Sequence, residues 1–332
     1  MEYVNLGRSG LKVSRIGLGC MSYGIEQRAW RLNEADSRPY IRSALEHGIN
    51  YFDTADMYGG GESEQVLGRA LKEFARRDEV VIATKIFYPV RPDPNGRGLS
   101  RKAILAGIDA SLHRLGTDFV DLYQIHRWDE ATPIEETLEA LHEVVKTGKA
   151  RYIGASSMMA WQFCKALHCA DRYGWTRFVS MQPHYNLLNR EEEREMLPLC
   201  SAEGIGVLPW SPLARGRLAR AWDAPSSSNR VATDKTAEQL YSKTANVDKQ
   251  VIDAVSEIAQ KRGISHAQVA LAWLLQQPAV SAPIVGVTKP IYLEDAIGAL
   301  SIQLEPDECA TLERHYVPHA MSFVRPGTHD FS

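Results

Sequence analysis

Eight short apolar, β-branched runs, each followed by a longer amphipathic stretch, set the tightest limit on what this chain can fold into. The runs are Ile16–Gly19, Asn50–Asp53, Val80–Lys85, Phe119–His126, Ala150–Gly154, Phe178–Gln182, Ile205–Pro209 and Ala282–Val285, each of strand length. Helices are expected from near Asn33, Glu62, Ser100, Ile134, Ala160, Glu191, Ser265 and Leu293. Asn33 and Ser100 stand where an N-cap belongs, and Gly48, Gly116, Gly148, Gly174 and Gly204 stand where helices should stop.

Strand and helix alternating eight times is the count of a closed (β/α)₈ TIM barrel, an α/β fold. Such a barrel needs roughly 250 residues, and the chain has 332. The surplus reads as an N-terminal β-hairpin, Tyr3–Leu6 and Leu11–Val13 around Gly7-Arg8-Ser9-Gly10, and a long loop after strand seven, Ser211–Ala245. Two extra helices, Val247–Lys261 and Pro306–His315, and an irregular tail complete it. Pro225–Asn229 reads as a loop tip, so residues 1–332 form one domain. A doubly wound dinucleotide fold would want GxGxxG after its first strand, but after Gly17 and Gly19 the third position is Ser22.

A net charge of −3 excludes a strong electrostatic footprint for nucleic acid or an anionic membrane, and no apolar run is long enough to span a bilayer. The first residues lack the apolar core of a secretion signal. Five cysteines without a CxxC pair suit free thiols, so a cytoplasmic protein with no metal centre is expected. Oligomeric state is not legible.

Barrel enzymes carry their chemistry at the carboxyl ends of the strands. Strand two ends at Asp53, with Tyr58 in the following loop; strand three ends at Lys85; strand four ends at His126. Singly, each has a plain structural use as a cap, a packed aromatic, a surface stem or a core histidine. At three successive strand ends they form a proton-transfer set. A tyrosine titrates near pKa ~10, and a neighbouring ammonium lowers that value. Lys85 is expected to do so, anchored by Asp53, while His126 orients a carbonyl oxygen. No nucleophile with an adjacent base and no metal-ligand spacing accompanies them, which suits hydride addition to C=O from a cofactor.

GINYFDTADMYG (Gly48–Gly59), VVIATK (Val80–Lys85) and VDLYQIH (Val120–His126) resemble the motif segments of the aldo-keto reductase superfamily. The resemblance runs from LGRSGLKVSRIGLG at the front to IVGVTKP near the end, and is strongest to bacterial and fungal aryl-alcohol dehydrogenase-like reductases. It implies reduction of aldehydes, ketones or sugar derivatives with NADP(H). Tyr58 would be the general acid, Lys85 its pKa-lowering partner, Asp53 the anchor and His126 the carbonyl-orienting group.

The resemblance also assigns Ser156, Gln182 and Trp210 to the nicotinamide end, and Met21, at the pocket mouth, and Asp53 are further expected cofactor contacts. Ser211, Pro212, Leu213, Arg215 and Gly216 would fold over the pyrophosphate. Gly286, Thr288, Lys289, Tyr292 and Asp295 would meet the adenosine end. Tyr292 stands where many members carry an Arg against the 2′-phosphate, leaving Lys289 as the substitute charge. Tyr23, Trp30, Tyr88 and Trp128 are expected to line the substrate mouth with Tyr58 and His126. Some relatives serve as channel subunits and carry Asn at the His126 position, so a regulatory subunit that keeps its cofactor is the alternative.

Overall fold

The computed structural model describes residues 1–24, 30–224 and 234–321. Strands β1 (Tyr3–Asn5) and β2 (Lys12–Ser14) pair antiparallel, as the Gly7–Gly10 turn predicts. The barrel strands are β3 (Gly17–Gly19), β4 (Tyr51–Asp53), β5 (Val81–Ile86), β6 (Val120–Ile125), β7 (Ala150–Ser156), β8 (Phe178–Gln182), β9 (Gly206–Val207) and β10 (Ile284–Gly286). All eight run parallel in one sheet, in chain order except that β10 returns to lie beside β3. Closure between β9 and β10 is made by the Val207–Val280 bridge and by the Ile284 amide, which donates to the Pro209 carbonyl at 2.9 Å. The (β/α)₈ barrel is therefore the fold.

Each strand leads to a helix of the outer ring: α1 (Glu34–Glu46), α2 (Glu62–Phe74), α3 (Arg101–Leu115), α4 (Ile134–Lys146), α5 (Ala160–Tyr173) and α6 (Met196–Glu203). After β9 come α7 (Lys235–Tyr241), α8 (Ala245–Arg262) and α9 (His266–Leu275), and after β10 come α10 (Pro290–Ala299) and α11 (Pro306–Glu313). Asn33 and Ser100 cap α1 and α3 through side-chain oxygens that accept from Asp36 N and Ala103 N.

Three boundaries differ from expectation. Near Glu191 there is only a 3₁₀ turn before α6, because Glu191 is turned toward the C-terminal segment and accepts from Tyr316 Oη at 2.7 Å and from the His319 amide at 2.9 Å. Helix α10 begins at Pro290 instead of Leu293, since proline needs no N–H partner at the first helical position. The long segment after strand seven also holds α7, a third helix beyond the barrel, capped by Asp234. Pro225–Asn229 lies outside the described residues, as does the tail from residue 322.

Two apolar layers result from the period-two alternation of the strands. Phe52, Ile82, Tyr123 and Ile153 face outward against the helices, in the larger core. Tyr51, Val81, Ala83 and Leu122 face inward, where the hairpin residues Leu6 and Val13 close over them. The Arg8 amide donates to the Gly204 carbonyl at 2.7 Å and ties that hairpin to the α6–β9 turn. The amino end of the barrel is thus plugged by apolar packing, and polar side chains collect at the carboxyl end.

Helices α2 and α3 meet at Gly68, where an added methyl would fall 2.1 Å from the Leu115 carbonyl oxygen. Gly68→Ala should therefore lower stability by about 1–3 kcal/mol through overpacking. The same change in an open helix gains about 1 kcal/mol of propensity, so the sign of the shift in a urea melt tests the close approach.

Candidate active site

Lys85 is fully buried, and burial by itself opposes its charge. Its Nζ donates to Asp53 Oδ1 at 2.5 Å and to the Thr54 carbonyl at 2.7 Å. The other Asp53 oxygen accepts from Gln182 Nε2 at 2.8 Å, Gln124 Nε2 at 3.2 Å and Tyr51 Oη at 3.3 Å. The alternating inward positions of β4, β5, β6 and β8 supply all of these side chains, and the Thr54 carbonyl follows directly on β4. Asp53 and Tyr58 outweigh the burial and leave the Lys85 ammonium above its ordinary pKa.

Tyr58 opens a 3₁₀ turn that passes through Gly59 and Gly60 at positive φ, a conformation that suits glycine. Its ring centroid is 5.1 Å from Lys85 Nζ and 5.8 Å from the His126 ring. Lys85 acts on the Tyr58 phenol in the expected direction. Burial pushes the Tyr58 phenol above its usual value, and the opposing pull of Lys85 does not overcome it. The phenol is a neutral proton carrier at physiological pH. His126 is held well below the usual histidine range by burial, with Lys85 and Arg127 adding to the effect. Its Nδ1 is buried without a hydrogen-bond partner, in a ring that faces the same space as Tyr58.

That space is a cavity of about 760 Å³, within the range of small-molecule sites. It is long, reaching from Tyr58 and His126 past Trp210 to the strand end at Gly286 and the start of α10. Met21, Asp53, Ser156, Gln182, Trp210, Ser211, Pro212, Leu213, Arg215 and Gly216 line it. So do Gly286, Thr288, Lys289, Tyr292 and Asp295 at the far end, and Trp30 and Tyr88 at the near end. Two expected lining residues do not. Tyr23 is completely buried with its hydroxyl on the Val287 carbonyl at 2.9 Å, and Trp128 packs toward Trp161 at 6.2 Å. Both are large enough to serve as packing, and packing claims them.

Several lining or supporting groups escaped the sequence reading. His184 stacks on Trp210 at 4.1 Å between centroids, with the planes 10° apart. Trp210 Nε1 donates to Ser157 Oγ at 2.9 Å, so the indole is held at one face and one edge. Burial pushes His184 down to about 3, leaving a neutral ring whose Nε2 pairs with Tyr241 Oη at 2.8 Å. Arg31, Arg127 and Arg220 also line the cavity. The adjacency of His126 and Arg127 was visible, but nothing in the sequence said which way these three arginines point.

Ser157, Ser211, Ala214 and Arg215 are the non-glycine residues with positive φ among the described residues; Ser211 and Arg215 line this cavity, and Ser157 and Ala214 adjoin residues that do. Such conformations cost of order 1–3 kcal/mol each and cluster at functional sites. The Arg215 guanidinium is ion-paired to Asp234 at 2.7 Å, which ties the strained loop to the cap of α7. The cavity's length, the indole platform, Arg220 on its wall and Lys289 at the amino end of α10 fit an extended anionic dinucleotide.

A closed barrel with a neutral phenol and a neutral imidazole over a buried ammonium suits proton transfer at a carbonyl. Residues 15–317 match the model of the aldo/keto reductase family. The versiconal hemiacetal acetate reductase of Aspergillus parasiticus is 47% identical, over 98% of this chain and 99% of its own length. An aldo-keto reductase of Fusarium vanettenii is 42% identical over 96% of this chain and 92% of its own. A Saccharomyces cerevisiae protein provisionally named as an aryl-alcohol dehydrogenase is 40% identical over 96% and 98%. The chain belongs to the aldo/keto reductase family. It is an oxidoreductase of carbonyl chemistry, and no described helix is long and apolar enough to cross a membrane.

Asp56, between Asp53 and Tyr58, is buried with Oδ1 unpartnered. Burial, and then the charge of Glu64, raise its carboxyl from 3.8 to about 7. Between those values the folded chain holds a proton that the unfolded chain has released, so this group's contribution to stability falls as pH rises and levels off above about 7. Asp56→Asn should gain on wild type across that window in urea melts and keep a constant lead above it. A difference independent of pH would show that the carboxyl titrates normally.

Proposed function

We propose that the chain reduces aldehydes or ketones to alcohols, with NADP(H) as the hydride source and Tyr58 as the general acid. The observation that carries the reading is the Tyr58 ring set 5.1 Å from the buried Lys85 ammonium, itself ion-paired to Asp53, at one end of a long cavity. The reduced nicotinamide, when bound, supplies a hydride to the carbonyl carbon. Tyr58 donates its proton to the carbonyl oxygen, and the phenolate left behind faces the Lys85 charge. His126, neutral, offers an N–H to the same oxygen and holds it toward Tyr58. Burial keeps Tyr58 protonated before the reaction, and Lys85 limits the cost of the anion afterwards.

Ser156 and Gln182 would hold the carboxamide, and Trp210, backed by His184, the nicotinamide face. Ser211–Gly216 would cover the pyrophosphate, and Gly286–Asp295 the adenosine end, with Lys289 the charge against a 2′-phosphate. The reductase and aryl-alcohol dehydrogenase names of the relatives support reduction of aryl carbonyls. The reducing cytoplasm is the proposed compartment, supported by five free thiols.

Tyr58→Phe should cut turnover of an aryl aldehyde by about 10²–10⁴, the range of general acid catalysis, while NADPH still quenches protein fluorescence with near-wild-type affinity. Retained turnover would remove Tyr58 from the acid role. Lys289→Ala should raise the dissociation constant of NADPH more than that of NADH, and equal losses would move recognition of the 2′-phosphate elsewhere.

A further inference from the structure

Behind the Trp210 platform lies a buried polar chain that proton transfer does not use. Past the ends of β8 and β9 the two backbones stay side by side for one more pair, His184 and Trp210, and the Trp210 amide donates to the Pro183 carbonyl at 2.9 Å. That pairing sets the rings 4.1 Å apart with their planes 10° apart. His184 covers one indole face, which leaves the opposite face to the cavity. Stacking alone is a weak constraint, because an aromatic pair tolerates a range of offsets.

His184 is itself held by hydrogen bonds whose direction can be assigned. Asn186 and Tyr241 are fully buried. The Asn186 side-chain oxygen accepts from the Leu188 amide at 2.9 Å, which fixes the way its amide faces. Asn186 Nδ2 then donates to the Ser211 carbonyl at 2.9 Å and to Tyr241 Oη at 3.1 Å. An amide nitrogen can only donate, so Tyr241 Oη accepts there and gives its own proton to His184 Nε2 at 2.8 Å. That bond needs a neutral imidazole, and burial provides one by pushing His184 down to about 3. Tyr241 is anchored in turn: it ends α7, whose first turn is capped by Asp234, and Asp234 is ion-paired to Arg215.

We propose that Tyr241 and Asn186 are positioning residues for hydride transfer, acting through His184 to fix the Trp210 face on which the nicotinamide ring lies; this rests on the reductase reading above. None of His184, Asn186 and Tyr241 lines the cavity, so their effect on a bound ring passes through residues that do, Trp210 and Ser211. The edge of the indole is tethered at Ser157 Oγ, which lies 3.3 Å from Ser156 Oγ on the residue assigned to the carboxamide. One connected path thus runs from Ser156 through the indole to α7. A platform released at its far end lets the ring meet the carbonyl at a poorer angle, and small misplacements of reacting atoms cost rate steeply.

The test uses Tyr241→Phe in the full chain, which keeps the ring beside Arg217 and removes the hydroxyl. This variant should raise the dissociation constant of NADPH by about three- to tenfold, the scale of one aromatic stack, and lower kcat for benzaldehyde by about the same factor. Adenosine 2′,5′-bisphosphate, which carries no nicotinamide, should bind as it does to wild type when measured by calorimetry alongside. General loosening of the fold would weaken both ligands. His184→Leu should reproduce the NADPH loss, and adding Tyr241→Phe to it should cost nothing more, because the phenol acts through the imidazole. Tyr241→Phe is close in volume to wild type and carries the test alone if His184→Leu does not fold. Equal losses for the two ligands, no loss for either, or additive effects of the two substitutions would overturn the positioning inference, while turnover by wild type keeps the reductase reading intact. A wild type that reduces no aldehyde with NADPH would overturn the reductase reading and this inference with it.

Discussion

An ammonium group with no access to solvent sits inside the barrel, and the rest of the site is arranged to keep it there. Removing one partner from such a buried pair costs about 3–5 kcal/mol, because the remaining charge is stranded. Asp53 is accordingly saturated, with one oxygen on Lys85 and the other shared by Gln182, Gln124 and Tyr51. The network tolerates little extra volume: a methyl on Gly154 would fall 2.3 Å from Ser180 Oγ and 3.2 Å from Gln124 Cγ. Beneath it the hairpin residues Leu6 and Val13 complete an apolar floor. The charge is thus held by polar contacts from the side and by the absence of polar contacts from below.

The rim works differently. Trp210 is fixed by a stack and a tether, and the loop that follows it carries three of the strained residues. Interior strands cannot supply such conformations without losing ladder hydrogen bonds, whereas a loop anchored by the Arg215–Asp234 pair can. Rigid charge placement and strained loop geometry therefore come from separate parts of one fold, joined at the strand ends.

Most of this division was legible before any coordinates. The eight strand segments read from β-branched runs all form strands, because each run is apolar on both faces and strand-length, as a barrel with helices outside and packing inside requires. Asp53, Lys85 and His126 were visible because, although each has a plain structural use by itself, together they end three successive apolar runs. What could not be read depended on side-chain direction. Tyr23 and Trp128 look like wall residues in the chain but are claimed by packing, and His184 looks like a core residue but backs the Trp210 ring. The balance at Tyr58 was also hidden, since the raising effect of burial and the lowering effect of Lys85 act in opposite directions and only the folded surroundings decide between them. Helix α7 was missed because seven polar-rich residues after a Ser- and Pro-rich stretch carry almost no periodic signal.

The hairpin that plugs the amino end has a consequence for traffic. Among the described residues the apolar floor closes the amino end of the barrel, so a guest of the cavity enters and leaves at the carboxyl end. The chain's own floor, far from any reacting atom, thereby makes loading and unloading of the proposed reductase share one face of the barrel.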